Sequence, residues 1–244
     1  MGPTLTDLRH DPRIRGRRRL GENIARIDID ELVAAYRASV ETAPHRHDRD
    51  KRYLVDGHDG RGGASERSRE KVAAKAIFND RSLVDALGLQ VIDYEVPLRS
   101  RQSDAGIGEI DLLGLETAMG RPWLIELKVV GNNETPLEAL IQALSYAAIF
   151  EANADAIIGE IAERARVGVV LPPVICILGD DGYWGTFSSS GVGPWREQLA
   201  ALAAQVRGAL GIDVKFMSLG EMSWTVDADD RARLVRRHEI RNIL

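Results

Sequence analysis

The chain is 244 residues long, 44% hydrophobic and 28% charged, which permits a sizeable core and excludes wholesale disorder. Its lone cysteine, Cys176, excludes an internal disulfide and a four-cysteine metal centre, and no apolar run or leader supports a membrane span or secretion, so cytoplasmic residence is expected. The formal net charge of -5 argues against a surface coated in basic charge, but a local patch is enough to meet phosphates.

Residues 1–21 have little apolar periodicity and read as a flexible arm. The arm carries Arg9, Arg13, Arg15, Arg17, Arg18 and Arg19, and a second cluster (Arg231, Arg233, Arg236, Arg237, Arg241) lies near the end. Solvated tails and arms that track a phosphate backbone are both open to such clusters. Asp30 is a candidate cap for a helix through Val40, with Leu32, Val33, Tyr36 and Val40 on one face. Residues 45–63 are charged and glycine-rich and read as a solvated loop. Its histidines, His45, His47 and His58, lack the partners of a metal site. Ser65 is a candidate N-cap for a helix through Phe78, in which Glu70, Ala73, Ala74 and Ile77 share a face.

Strand-like runs follow at 89–98, 107–115 and 123–130. The first alternates, with Val91 opposite Ile92, Tyr94, Val96 and Leu98; the other two flank a short turn and predict a hairpin. Thr135-Pro136 opens a helix through Ala152, a further helix is expected near 154–164, and 173–178 is a strand. Gly179-Asp180-Asp181-Gly182 reads as a tight turn before a cation site, and Tyr183, Trp184 and Phe187 as core before a base-stacking platform. A helix at 195–210 and a strand at 214–219 close the ordered part.

Charge within these runs is the strongest functional signal. Asp111 interrupts one apolar strand, and Glu126 and Lys128 interrupt the next. A carboxylate at a buried position is costly unless it is paired or bound to a metal. Residues two apart on a strand share a face, so Glu126 projects with Lys128, and Glu109 with Asp111. If the two runs pair, Asp111 approaches Glu126, and the two acids repel unless a cation lies between them. Hard oxygen ligands suit Mg²⁺ or Mn²⁺. A lysine beside such a metal orients a water or stabilises developing negative charge, which is the chemistry of phosphodiester hydrolysis.

Asp111, the Glu126-Leu127-Lys128 triplet and the trailing Gln142-x-x-x-Tyr146 together resemble the PD-(D/E)XK nuclease superfamily in its RecB-like form. The likeness covers about residues 65–178, where the element order matches an αβββαβ core with a central mixed sheet. It implies an α/β fold of restriction-endonuclease type, with a nuclease core at 65–190. A basic arm, helix and linker at 1–64 precede it, and a helix–strand extension with a basic tail at 191–244 follows. It also implies Asp111, Glu126 and Lys128 as catalytic residues, and Asp111, Glu126, the Leu127 carbonyl and Glu70 as ligands of Mg²⁺ or Mn²⁺. Gln142 and Tyr146 would contact nucleic acid, DNA first. Ile110 stands where the family has proline. Two other readings stay open: a binding module on the same fold without hydrolysis, and a structural ion network. A homodimer or a protein partner is equally compatible with the sequence.

Overall fold

Apolar runs in the middle of the chain pair as strands because each has a face, or both faces, to bury. A computed structural model describes residues 2–46, 52–63, 66–80, 82–100, 107–188, 193–235 and 239–244, the side chains at 82, 84 and 85 excepted. β1 (Leu89–Pro97), β2 (Glu109–Glu116) and β3 (Arg121–Lys128) form an antiparallel meander. β4 (Val174–Gly179) and β5 (Asp213–Ser218) continue it in parallel, β6 (Trp224–Val226) and β7 (Ala232–Leu234) make a separate hairpin, and β8 (Arg241–Asn242) pairs antiparallel with β5. The result is a six-stranded mixed sheet in the order β1-β2-β3-β4-β5-β8. The strand of the C-terminal extension is therefore continuous with the central sheet. β3 and β4 are buried on both faces, so their burial does not alternate.

Nine α-helices are seen among the described residues: α1 (Leu5–Arg9), α2 (Leu20–Ala25), α3 (Ile29–Glu41), α4 (Arg69–Phe78), α5 (Ser82–Leu87), α6 (Pro136–Ala152), α7 (Ala154–Ala165), α8 (Asp181–Gly185) and α9 (Trp195–Leu210). On one face Leu113, Leu115, Leu124, Ile175, Ile177 and Phe216 meet α6 and α9. On the other face Leu112, Trp123, Ile125, Leu127 and Leu178 meet Ala73, Ala74 and Ile77 of α4. The sheet thus has α4 and α6 on opposite sides of β2 and β3. Helix α6 starts as expected, with Thr135 and Glu138 forming a capping box and Pro136 in the first turn. It is apolar almost all round because α1 and α3 pack on its outer side. No helix among the described residues is long and apolar enough to cross a membrane.

Five expectations are corrected. The N-terminal segment is not a free arm over its length: Leu5, Leu8, Ile14 and Leu20 are buried in the same core as α6. They fit no single period because they sit on two short helices and the turn between them, the first helix opened by a Thr4–Asp7 capping box. Asp28, not Asp30, caps α3, and Ser68 caps α4; Ser65 lies outside the described residues. The charged loop is also held down. Tyr53 and Leu54 are buried with their amides on Glu160, and His58 Nδ1 lies 2.7 Å from Asp93 Oδ1. His47 lies outside the described residues.

The alternation of β1 fails as well. Ile92 and Val96 enter one core while Tyr94 enters the other. The register shifts between Val91 and Asp93, and Glu95 adopts a left-handed φ of 47°, so the strand changes face part-way. A non-glycine residue there is strained and persists only because its surroundings hold it.

The folded N-terminus has a direct check. Leu5→Ala is expected to lower stability by about 2–5 kcal/mol, the range for truncating a buried leucine. Urea denaturation reads the loss; a midpoint equal to that of the wild type would return the segment to a free arm.

Candidate functional site

The site grows from a fork in the sheet. β2 stays paired with β1 as far as Pro97↔Glu109, and β3 stays paired with β4 as far as Lys128↔Gly179. Between β2 and β3, however, the ladder stops at Leu112↔Ile125. The first residues of β2 and the last of β3 therefore part, and Asp111 sits where they divide. Its Oδ2 accepts the Leu127 amide at 2.7 Å, a bond that a β2 carbonyl would otherwise receive. A strand residue's N–H and C=O leave on the same edge. Lys128 O is taken by Asp180 N on the β4 edge, so the Leu127 carbonyl leaves on the opposite edge, into the fork.

Glu126 and Lys128 lie on the same face as Leu124, the side covered by α6. Lys128 Nζ donates to Glu126 Oε1 at 2.7 Å and to Glu134 Oε2 at 2.6 Å. Both Lys128 and Glu126 are buried, and Glu126 Oε2 has no hydrogen-bond partner among the described residues. Leaving a buried acceptor unmatched costs about 1–3 kcal/mol, more when it is charged. From the other face, α4 contributes Glu70, whose Oε1 accepts from Asn132 Nδ2 at 2.6 Å.

Charge here is balanced only in part. Burial, then the Glu126 charge, pushes Asp111 well above the ordinary carboxylate range. Burial likewise raises Glu126 against the opposing pull of Lys128. Burial works against a charged Lys128, yet Glu126, Glu134 and Asp111 hold its pKa well above normal. Lys128 is therefore a fixed cation, not a base. Burial also favours the neutral form of Glu134, but Lys128 and Arg9 together bring its pKa below normal. Acids and a lysine thus share one field, with more negative charge than the lysine alone offsets.

Gln142 and Tyr146 sit together on α6, with Gln142 Nε2 donating to Tyr146 Oη at 2.6 Å. Tyr146 is buried, its pKa raised first by that burial and then by Glu126, so the phenol keeps its proton. Its hydroxyl abuts Gly108 at the start of β2: a Cβ there would lie 2.3 Å from Tyr146 Oη. Glycine is required for that approach.

Of the residues singled out from sequence, Asp111, Glu126, Leu127 and Lys128 meet at the fork, with Glu70 and Tyr146 close enough to enter the same electrostatics. Glu109 is drawn away, paired with Lys71 at 3.0 Å. Asp180 caps α8 and accepts from Val130 N and Tyr183 N, so the aspartate turn is structural. Tyr183, Trp184 and Phe187 are core. Glu134 and Asn132 escaped the sequence reading, and Arg9 entered it only as one member of the N-terminal arginine cluster. Glu134 stands in a polar loop before α6, and nothing local separates it from an ordinary loop acid.

No group of three His, Cys, Asp or Glu side chains that could hold a metal ion occurs among the described residues. A Mg²⁺ site does not need one, since the ion keeps several waters and binds through one or two carboxylates. Asp111, the unmatched Glu126 Oε2 and the Leu127 carbonyl are oxygen donors of the required kind. The donor set fits a hard divalent cation. Comparison with known proteins found no matching family model, no matching curated protein and no matching solved structure.

Positioning by α6 is open to test. If the chain is a nuclease, as the sequence resemblance implies, Gln142→Ala and Tyr146→Phe would raise KM or lower kcat for a nucleic-acid substrate by about tenfold to a hundredfold through misplacement. Both variants should keep the wild-type response of melting temperature to Mn²⁺. Unchanged kinetics in both would make the pair a packing feature.

Proposed function

We propose that the chain is a metal-dependent nuclease that hydrolyses phosphodiester bonds of DNA at the β2/β3 fork, on a core of PD-(D/E)XK type. The observation that carries this reading is the set at the fork: a half-buried Asp111 and a buried Glu126 with raised pKa values, one oxygen of Glu126 unmatched, and a buried lysine held charged between carboxylates. A purely structural network has no reason to leave that oxygen open.

Asp111, Glu126 and the Leu127 carbonyl would hold Mg²⁺ or Mn²⁺, with Glu70 adding negative charge from α4. When bound, the ion supplies Lewis acidity toward a phosphate oxygen and acidifies a coordinated water. Lys128, locked by Glu126, presents a fixed positive charge to the negative charge that develops on the phosphate. Tyr146 keeps its phenolic proton and positions the strand beside the fork, and Gln142 sets the direction of that hydroxyl.

The test combines cleavage and stability. Linear, circular and single-stranded DNA are incubated with Mg²⁺, Mn²⁺ or chelator, and melting is followed in the same buffers. Cleavage only with metal is expected. Melting should rise with Mn²⁺ by the equivalent of about 2.7 kcal/mol once the ion exceeds its Kd about a hundredfold. A metal-induced rise without cleavage of any substrate favours the non-hydrolytic binding module. No rise and no cleavage leaves a structural ion network.

A further inference from the structure

The arginines near the N-terminus divide by what each one touches. Arg13 is engaged by Asp11 at 2.7 Å and Glu31 at 2.9 Å. Arg15 lies 2.7 Å from a ring nitrogen of His10. Arg9 instead reaches into the fork region, where its guanidinium pairs with Glu134 Oε1. The other oxygen of Glu134 accepts from Lys128 Nζ at 2.6 Å. One carboxylate therefore holds two cations, one from α1 and one from β3.

Its setting differs from that of Glu126. Glu134 and Arg9 keep 31% and 27% side-chain exposure, while Lys128 and Glu126 keep 3% each. Glu126 is fixed on a strand, whereas Glu134 stands in the loop between β3 and α6. The backbone of Arg9 does not depend on Glu134 for its place, because Leu5 and Leu8 seat α1 against the outer side of α6. Two preplaced cations and one displaceable anion define an anion subsite.

We propose that Arg9 and Lys128 together bind a phosphate of the nucleic-acid chain, and that Glu134 occupies this subsite as a stand-in anion until the phosphate displaces it. The assignment rests on the nucleic-acid reading above. A non-bridging phosphate oxygen carries the same kind of charge as a carboxylate oxygen, and a guanidinium fork accepts either. Lys128 meets the same group as a point charge. Glu134 then competes with substrate, keeping the two cations paired while the site is empty and weakening binding when it is filled. Arg9 becomes a substrate-binding residue supplied by a segment that looks like a tail in sequence.

Competition and bracing give opposite signs. If Glu134 and Arg9 only brace Lys128, removing either one disorders the lysine and weakens binding. If Glu134 is the stand-in, removing it helps and removing Arg9 hurts. The measurement is fluorescence anisotropy of a fluorescein-labelled single-stranded oligonucleotide with the full chain in chelator, across a salt series. Arg9→Ala is expected to weaken binding about tenfold, the scale of one lost charge-assisted hydrogen bond, and to reduce the salt slope by about one. Arg9→Lys should recover most of that loss, which ties the loss to the positive charge, and the alanine variant should melt with the wild type. Glu134→Gln should bind more tightly than the wild type.

Weaker binding by both Arg9→Ala and Glu134→Gln, wild-type binding by Arg9→Ala, or no binding by the wild type each overturns the assignment. If binding follows the expected pattern but metal-dependent cleavage never appears, the subsite stands and the hydrolytic reading fails. Cleavage with unchanged binding by Arg9→Ala does the reverse.

Discussion

Asp111→Asn is expected to abolish metal-dependent cleavage and, in chelator, to raise the melting temperature. The two effects have one cause. Asp111 stands at the division of β2 and β3, its pKa pushed up first by burial and next by the charge of Glu126. An asparagine keeps an oxygen for the Leu127 amide, so the local bond at 2.7 Å survives. What goes is the charge, and with it both the repulsion of the empty site and a donor for the metal. Activity should fall on the order of a thousandfold, comparable to losing one preorganised electrostatic group. The apo protein should gain about 2–4 °C for each kcal/mol of repulsion relieved in a chain of this size. With saturating Mn²⁺ the order should invert, the wild type melting higher. An Asp111→Asn protein that cleaves normally, or that melts lower than the wild type in chelator, refutes the metal-binding role.

How much of this was legible in the sequence depends on the range of the interaction. The central strands, α6 and α9 follow from strong local patterns: apolar runs, the Thr135-Pro136 start, and an apolar face repeated over several turns. Asp111, Glu126 and Lys128 stood out because charge in an apolar strand has few physical explanations. What stayed hidden was set by distant contacts. The face change in β1 goes with Asp93, a fully buried acid held by Val55 N, Arg164 and His58, none of which adjoins it in sequence. The buried N-terminus was masked by arginines interleaved with leucines that serve separate short helices. Arg9 and Glu134 are 125 positions apart, and only the packing of α1 on α6 makes them partners.

Lys128→Met separates the lysine's structural work from its chemistry. The variant leaves Glu126 buried without its cation, and Glu134 loses one of two partners. Breaking a buried pair from one side costs about 3–5 kcal/mol. That corresponds to a melting point lower by roughly 6–20 °C, at about 2–4 °C per kcal/mol. The loss should depend on pH in a definite direction. Burial raises the folded-state pKa of Glu126 and Lys128 opposes that rise, so losing the lysine lifts it further and the folded variant holds a proton that the unfolded form has released. Stability is then retained at low pH and lost as pH rises through the window between the two values. Lys128→Met should therefore fall further behind the wild type at pH 8 than at pH 5. Adding Glu126→Gln removes the stranded charge and should recover most of the stability, while cleavage stays absent. Recovery of activity in the double variant would mean that the lysine acts only through the fold. A single variant that melts with the wild type at every pH would mean that Glu126 and Lys128 do not form the buried pair on which the proposed site is built.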